Sequence, residues 1–180
     1  MSMIPNQKAF LDMIAYSEIG HKLMAISDDG YNVIVGSTPT HPILFQDYAD
    51  HPRRLIDLPT FGVKSTAAGR YQLLARYFDA YKTRLGLSDF SPASQDAIAL
   101  QQIRECRALD DIEAGKLREA VKKCARIWAS FPGNTYGQPT HRFESLQAAY
   151  LNAGGTVRGD AEIEAMDNYE RIAMNDVPAL

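Results

Sequence analysis

Apolar residues near the start of the chain recur at the spacing of one face of an α-helix. Leu11, Ile14 and Ala15 lie on that face, and the same spacing next reaches Glu18, an acid, where another apolar residue is expected. Gly20 follows two positions later, and glycine commonly ends helices. The pattern therefore predicts a helix from about residue 6 to residue 18, with a carboxylate on its buried face and in its last turn.

Between residues 21 and 63 the pattern changes from helical to β-like. A first predicted strand is "GYNVIVG" (30–36), because it is rich in β-branched residues and bounded by glycines. The segment "ILFQDYADHP" (43–52) predicts a returning strand that stops at Pro52, and residues 55–58 are long enough for a third short strand. Residues 21–63 are therefore predicted to form a small β lobe.

From residue 64 onward the pattern is helical for the rest of the body. Ser91 followed by Pro92 begins one predicted helix, and Gly86 ends the helix before it. The pattern thus predicts a small β lobe followed by a helical body. The apolar positions are Leu73, Leu74, Tyr77, Phe78, Tyr81 and Leu85 in the first helix, Ile98 and Ile103 in the second, Leu117, Val121, Cys124 and Trp128 before Pro132 and Gly133 in the third, and residues 141–150 before Gly154 and Gly155 in the last.

Composition and charge narrow the possible functions. Apolar residues make up 46% of the 180-residue chain and charged residues 23%, close to the averages for folded globular proteins. The net charge of -3 comes from residues 158–180, which carry two Arg against six Asp or Glu and are predicted to form an acidic tail, whereas residues 1–157 are nearly neutral. A protein that wraps nucleic acid needs a basic excess, so nucleic acid is excluded as the expected partner.

The cysteines and the N-terminal residues indicate the cellular compartment in which the protein is expected. Cys106 and Cys124 lie in helix-like patterns without any C-x-x-C pair, so we interpret both as small buried thiols. No signal peptide is expected, since Asp12 interrupts the N-terminal apolar stretch, and no apolar run is long enough to span a bilayer. The sequence thus predicts a protein that initially stays in the cytoplasm, without stable membrane insertion.

Glu18 has the position of a general acid. Loss of water and the negative end of a helix both penalise the carboxylate, so its pKa is expected to rise from its usual value of about 4.3 toward about 6. A carboxyl group that keeps its proton at neutral pH can protonate the leaving oxygen of a glycosidic bond. The alternative is that Glu18 turns outward at the end of the helix and is merely solvated.

The segment "KSTAAGRYQLL" (64–74) offers groups that suit a sugar. Ser65 or Thr66 can cap a helix here, and Tyr71 and Gln72 are then expected at the helix opening. A flat ring stacks on a sugar face, and a primary amide pairs with an N-acetyl group. The alternative is a capped helix with a half-buried Tyr and no ligand.

Several long blocks, in the same order and spanning roughly residues 7–158, resemble the phage lambda endolysin family. The resemblance implies a lysozyme-like α+β fold with the glycan in a cleft between the two lobes, over a catalytic domain of residues 1–157. It also implies a lytic transglycosylase that cleaves between N-acetylmuramic acid and N-acetylglucosamine, with Glu18 as its catalytic acid. The blocks are "FLDMIAYSE", "GYNVIVG", "FQDYADHPRRL", "KSTAAGRYQLL", "LGLSDFSPASQDAIALQQI", "IWASFPGNTYGQ" and "AGGTVR".

The number of carboxylates separates two mechanisms. Hydrolytic muramidases use two carboxylates, and the offsets at which related phage lysozymes carry their second group give Ser27 and Val33 here. A transglycosylase can use Glu18 alone, because the C6 hydroxyl of the muramic acid attacks instead of water. A hydrolytic muramidase with Glu18 and one of Asp28, Asp47 or Asp50 stays an alternative, as does a non-catalytic wall-binding module.

Further contacts are expected in the Gly-rich loop "NTYGQ", where Tyr136 and Gln138 are candidates for binding the glycan. Trp128 is interpreted as a core residue. The four histidines, His21, His41, His51 and His141, lack the close spacing of a zinc site, and the proposed chemistry requires no metal or organic cofactor.

The sequence also departs from the family. In "GYNVIVGS" (30–37), Asn32 replaces an acid and Ser37 a glycine, and the loss of the acid weakens any proposal for a second carboxylate at this point. The resemblance implies a phage or prophage lysis enzyme that waits in the host cytoplasm until a holin-type membrane pore admits it to the periplasm. Its partner would be the glycan strands of peptidoglycan, and we expect a monomer.

Overall fold

The computed structural model describes residues 4–134 and 140–159. Within them, seven helices surround a small two-stranded sheet. The assignment of residues 1–157 to one catalytic domain stays a prediction, and the acidic tail from residue 160 onward lies outside the described residues. The elements are α1 (Pro5–Glu18), α2 (His21–Met24), β1 (Ile56–Leu58), β2 (Val63–Ser65), α3 (Ala75–Leu85), α4 (Pro92–Glu105), α5 (Leu109–Glu113), α6 (Leu117–Cys124) and α7 (Phe143–Asn152).

Helix α1 is the centre of the larger core, and it ends at Glu18 as the sequence predicts. Pro5 occupies the first turn of α1. The apolar residues of this helix are almost wholly buried against α7, α5 and α4. Phe10 packs edge-on against Phe131 and Tyr150 at ring-centroid distances of 6.2 and 6.5 Å. Because α1 is held on three sides, the position of Glu18 is fixed by the core.

A second, smaller core lies beneath the loops that precede α3. Phe45, Phe78 and Phe90 form its centre, with the Phe78 and Phe90 rings 5.0 Å apart. The buried His51 joins these rings, and its Nε2 lies 2.9 Å from the carbonyl oxygen of Leu73. This core supports the wall of the molecule that faces the end of α1.

The prediction of two longer strands between residues 30 and 52 is wrong, because these segments form isolated bridges and no regular strand. Val33 and Leu44 form an isolated antiparallel bridge, and Ile34 forms another with Ala68. Phe45 donates its backbone N–H to the carbonyl of Asn32 at 3.0 Å, after which the chain leaves the pairing. The segments run beside each other as expected, but the first is also paired to the 67–69 loop, and each bridge stays isolated.

The regular sheet is a hairpin formed by β1 and β2, with Ile56 opposite Ser65 and Leu58 opposite Val63. The third predicted strand is therefore confirmed, and its partner lies where the sequence predicts the end of the lobe. A 3₁₀ turn, Pro59–Phe61, and Gly62 at φ 62° connect the strands. Phe61 and Val63 are exposed at this hairpin.

The helix expected from Ser65 or Thr66 does not form; α3 begins at Ala75. Residues 69–72 make a tight turn instead, with Gly69 at φ 81° and Gln72 at φ 50°. Thr66 still acts as a cap, because its Oγ1 accepts the N–H of Ala75 at 3.1 Å.

Most of the observed ends of the later helices lie where the sequence predicts them. Helix α3 stops at Gly86 in the left-handed conformation, and the Ser91 hydroxyl accepts the N–H of Ser94 at the start of α4. Helix α6 ends at Cys124, so Trp128 lies beyond it, and the short α5 was not expected. Cys106 and Cys124 are buried free thiols, and Trp128 is buried in the core, which confirms both interpretations.

Among the helices in residues 4–134 and 140–159, none combines the length and apolar character that a bilayer-crossing helix requires.

Candidate active site

A cleft of about 700 Å³ separates the hairpin and α3 from the end of α1 and the 126–130 segment. One wall is formed by the hairpin, the loop after it and the exposed face of α3. The other is formed by Glu18 and by the residues that follow α6. The side chains that line it include Glu18, Ser65, Tyr71, Gln72, Arg76, Tyr77, Tyr81, Gln102, Arg126, Ile127 and Trp128, with Phe61 at the hairpin tip.

Glu18 has the electrostatic setting that the sequence predicts. The residue is half-buried in the wall of the cleft, and burial raises the pKa of its carboxyl group from 4.5 to about 7. The hydroxyl of Ser130 donates to Glu18 Oε1 at 2.5 Å, and this bond and the Ser130 backbone amide both favour the ionised form. Loss of water is the larger effect, so the carboxyl group is half-protonated near neutral pH.

Ser130 can serve both protonation states of Glu18. Its Oγ lies 2.5 Å from Glu18 Oε1 and 3.0 Å from Ser17 Oγ, and its single proton can go to one of them at a time. When Glu18 is ionised, the Ser130 hydroxyl donates its hydrogen bond to the Glu18 carboxylate. When Glu18 is protonated, the Ser130 hydroxyl accepts a hydrogen bond from the carboxylic acid and donates its own to Ser17. The Ser17 hydroxyl in turn donates to the carbonyl of Ile14 at 2.9 Å. Neither state of the acid leaves an unpaired hydroxyl proton.

His141 contacts both the segment that contains Ser130 and the end of α1. Its backbone N–H donates to the carbonyl of Ser130 at 2.9 Å, and its Nε2 lies 3.2 Å from the carbonyl oxygen of Ser17. Its ring also packs against Tyr16, with the ring centroids 5.2 Å apart. Sequence reasoning missed Ser130, Ser17 and His141 as a group, because Ser130 lies 112 residues from Glu18 and no local spacing links them.

The predicted sugar-binding residues lie in the cleft but differ in what they present to it. Tyr71 is 6% exposed, and its hydroxyl donates to Asp96 Oδ1 at 2.6 Å, which leaves little of the ring for a sugar to stack on. The amide nitrogen of Gln72 donates to the Gly69 carbonyl at 2.9 Å, while its amide oxygen has no hydrogen bond to any described residue. Tyr136 and Gln138 lie outside the described residues.

Ser65 lies in β2 rather than at a helix start. Its hydroxyl accepts the N–H of Ala67 at 3.1 Å and faces the cleft from the hairpin side. The Gln72 amide oxygen and the Ser65 hydroxyl are therefore two polar groups that this wall presents to a bound glycan, beside the polar side chains of α3.

The alternative carboxylates have other partners and do not line the cleft. Asp28 accepts the Tyr48 hydroxyl at 2.6 Å, and Asp50 pairs with Arg53 at 2.8 Å, which lowers the pKa of Asp50 to about 2. Asp47 accepts the backbone N–H of Ala49 at 2.8 Å.

Of the two departures from the family pattern, Ser37 lines the cleft and Asn32 does not. Asn32 is buried, and its side-chain oxygen accepts the N–H of Asp28 at 3.0 Å. Ser27 hydrogen-bonds the backbone of its own turn, and Val33 presents only apolar atoms. Among the described lining residues, Glu18 is the one carboxylate.

The histidines are dispersed over the described part of the chain, which contains no group of three or more His, Cys, Asp or Glu side chains placed to hold a metal ion. His21 packs against Tyr16, and His41 lies beside Thr40 in an exposed turn.

Comparison with known proteins identifies close relatives. Residues 8–157 match the family model described as Endolysin. The chain is 54% identical over 160 residues to the endolysin of Escherichia phage lambda, covering 88% of this chain and 98% of the relative. It is 46% identical over 154 residues to the endolysin of Escherichia phage P2, covering 83% and 93%.

Two solved structures share the fold. A bacteriophage lambda lysozyme complexed with a chitohexasaccharide superposes with a TM-score of 0.78 at 51% identity, covering 88% of this chain and 99% of the other. Another lysozyme from bacteriophage lambda gives a TM-score of 0.76 at 52% identity and the same coverage. These matches confirm the predicted lysozyme-like α+β fold.

Proposed function

The chain belongs to the endolysin family of peptidoglycan-degrading enzymes, and from this membership we propose that it acts as a lytic transglycosylase. The bond cleaved is the β-1,4 linkage between N-acetylmuramic acid and N-acetylglucosamine in bacterial peptidoglycan. The product is a 1,6-anhydro muramic acid end, formed without water.

The observation that carries this proposal is that Glu18 alone among the described lining residues has a carboxyl group, with a pKa raised to about 7. A hydrolase with two carboxylates needs a second one within about 10 Å of the first to act as nucleophile or to activate water. A transglycosylase needs one group that gives a proton and then takes one. A pKa near neutrality suits both tasks.

The reaction proceeds in two proton transfers. Neutral Glu18 donates its proton to the glycosidic oxygen, the bond from that oxygen to C1 of the muramic acid breaks, and the N-acetylglucosamine leaves with the proton as its hydroxyl. The Glu18 carboxylate then removes the proton of the C6 hydroxyl, whose oxygen attacks C1 and closes the anhydro ring. The attack is intramolecular, so no water has to be bound.

The Ser130 hydroxyl changes its hydrogen-bond partner as Glu18 loses and regains its proton. As the acid loses its proton, the Ser130 hydroxyl turns from Ser17 to the carboxylate and donates to it, stabilising the anion. As the carboxylate regains a proton, the hydroxyl turns back. The acid thus keeps its position through both steps.

The glycan is held by the opposite wall in this proposal. The free amide oxygen of Gln72 can accept an N–H from an N-acetyl group, and the Ser65 hydroxyl lies beside it in the cleft. The exposed rings of Tyr77 and Phe61 are better placed for stacking than the buried Tyr71. Contacts from Tyr136 and Gln138 stay predictions.

The cellular setting is part of the same proposal. The enzyme accumulates in the host cytoplasm and reaches the periplasm through a membrane pore made by the phage. Fractionation of induced host cells with and without a functional pore tests it: activity in the periplasmic fraction of pore-deficient cells would contradict it.

The products of digestion test the mechanism. Purified sacculi of a Gram-negative bacterium are digested with the wild type, with Glu18→Gln and with Glu119→Gln, which makes the same change at an exposed position on α6. We expect the wild type and Glu119→Gln to release fragments one water lighter than hydrolysis products by mass spectrometry, and Glu18→Gln to release none. Hydrated reducing ends would instead identify a hydrolase, and undiminished digestion by Glu18→Gln would remove Glu18 from the chemistry.

A further inference from the structure

The two cysteines of the chain, Cys106 and Cys124, are brought together by the fold. Cys106 directly follows the last residue of α4, and Cys124 is the last residue of α6. We propose that these two thiols are a modification site, which forms a disulfide bond when the protein meets a hydroperoxide. The bond ties the end of α4 to the segment that builds one wall of the cleft. This inference is independent of the reaction proposed for the cleft.

The two sulfur atoms are in direct contact. The Cys124 thiol donates a hydrogen bond to the Cys106 sulfur. The chain turns sharply after Cys106, where Arg107 has a φ of 56° and Ala108 donates its N–H to the carbonyl of Ile103 at 3.2 Å. A disulfide tolerates a narrow range of backbone separations, and sulfurs that already touch need only small side-chain rotations to reach it.

The two thiols differ in reactivity. The hydrogen bond from Cys124, together with Arg126, whose Nε donates to Cys106 Sγ at 3.4 Å, holds the pKa of Cys106 below its usual range. The same hydrogen bond and burial raise the pKa of Cys124. Cys106 is 6% exposed and Cys124 is 0% exposed, so a small oxidant meets Cys106 first. Since the thiolate is the nucleophile, Cys106 is the attacking sulfur and Cys124 the resolving one.

The oxidation takes two steps. The Cys106 thiolate attacks one oxygen of hydrogen peroxide, the O–O bond breaks, and Cys106 becomes a sulfenic acid as hydroxide leaves. The Cys124 sulfur then attacks the Cys106 sulfur, the S–O bond breaks, and the departing oxygen leaves as water with the Cys124 proton. The proton that Cys106 released neutralises the hydroxide. Two thiols thus lose two electrons, and the peroxide is reduced to two waters.

The disulfide fixes the start of a cleft wall. Residues 126–129 line the cleft, and the Ser130 hydroxyl after them donates to Glu18. Arg126 already links this segment to the end of α4, because it donates to Cys106 Sγ and to the backbone carbonyl of Glu105. A covalent bond from Cys124 joins the same two segments. It also closes a loop of about 20 residues, which restricts the unfolded chain.

Mass spectrometry of the folded protein tests the bond. Wild type, Cys106→Ala and Cys124→Ser are treated with hydrogen peroxide without denaturant, their remaining thiols are blocked, and the proteins are digested with trypsin. We expect the wild type to yield residues 105–107 and 124–126 as one disulfide-linked pair, about 2 Da lighter than the two reduced peptides together. Cys124→Ser keeps a donor beside Cys106 but has no resolving sulfur, so it should stop at a sulfenic acid that dimedone traps.

The wild type alone decides whether the bond exists, even if a variant fails to fold. Two unmodified thiols after this treatment, or disulfides only between separate molecules, would overturn the inference. Cys106→Ala should leave Cys124 unmodified at the same dose. Its oxidation at the wild-type rate, in a variant with the circular dichroism spectrum of the wild type, would overturn the assigned order of attack.

Thermal unfolding tests the tie between α4 and the cleft wall. The oxidised wild type should melt about 5–10 °C above the reduced protein, and dithiothreitol should remove this gain. The matched control is the double variant Cys106→Ala with Cys124→Ser, whose melting temperature should not rise with peroxide. It also separates the disulfide from methionine oxidation, which a dithiol does not reverse. A disulfide that forms without raising the melting temperature would overturn the stabilising role.

Discussion

Replacing Glu18 by Gln should stabilise the protein increasingly as the pH rises from 4.5 to about 7. The pKa of Glu18 is 4.5 when the chain is unfolded and about 7 in the folded protein. Between these values the native state holds a proton that the unfolded chain has released, so the free energy of unfolding falls as the pH rises. Each pH unit costs about 1.4 kcal/mol, which gives about 3 kcal/mol over the interval.

Glu18→Gln removes this cost, because the amide is neutral at every pH and can still bond Ser130. Below pH 4.5 both proteins carry a neutral group here, so their unfolding free energies should differ by a constant. Above pH 7 the variant should gain about 3 kcal/mol relative to that constant. For a chain of this size the gain corresponds to a melting temperature higher by about 6–12 °C.

Urea unfolding of both proteins at half-unit steps from pH 4 to pH 8 measures the difference directly. Taking the difference cancels the titration of all other groups that the substitution leaves unchanged. Glu119→Gln, at an exposed site on α6, controls for the general effect of losing one negative charge. If the difference between wild type and Glu18→Gln stays flat across this range, the carboxyl group is ordinarily hydrated and the argument for a general acid fails.

Three further outcomes follow from contacts described above. Ser130→Ala removes a hydrogen bond to the carboxylate, so the pKa of Glu18 should rise further and the alkaline limb of the pH–activity profile should move up by about one pH unit; a shift in the other direction would contradict the assigned bond. Gly69→Ala would place a Cβ 2.2 Å from Gln95 Oε1 at φ 81°, and urea unfolding should show a loss of about 2–4 kcal/mol, whereas a loss below about 1 kcal/mol would show that the turn adapts. Phe10→Ala empties the centre of the larger core and should cost about 3–5 kcal/mol by calorimetry; a near-neutral result would mean that the core collapses around the gap.

The sequence alone predicts the elements whose cause is local. Helix α1 ends at Glu18, and α4 begins at Ser91, because caps, proline and apolar spacing act within a few residues. The same pattern places Glu18 in the last turn of α1, while its role as the catalytic acid stays a prediction. The expected burial of Trp128 and of the two cysteines also holds, since each lies on an apolar face.

The parts that the sequence does not predict depend on distant partners. The β-branched run at 30–36 stays irregular because it bonds two other segments, through Ile34 to Ile43 and through Val35 to Ala67. The 66–74 segment has the composition of a helix start, yet Gly69 is packed against Gln95 from α4 and the chain turns instead. Ser130 is recognised only when folding brings it to Glu18.

The pairing of Glu18 with Ser130 across 112 residues has a consequence for biosynthesis. A nascent chain carries its acid from the first helix onward, but the hydroxyl that steadies it leaves the ribosome only when most of the polypeptide has been made. Prematurely terminated fragments that lack the later half therefore contain the proposed acid without the hydroxyl that hydrogen-bonds it. In the proposed mechanism, such fragments lack the donor that stabilises the Glu18 carboxylate.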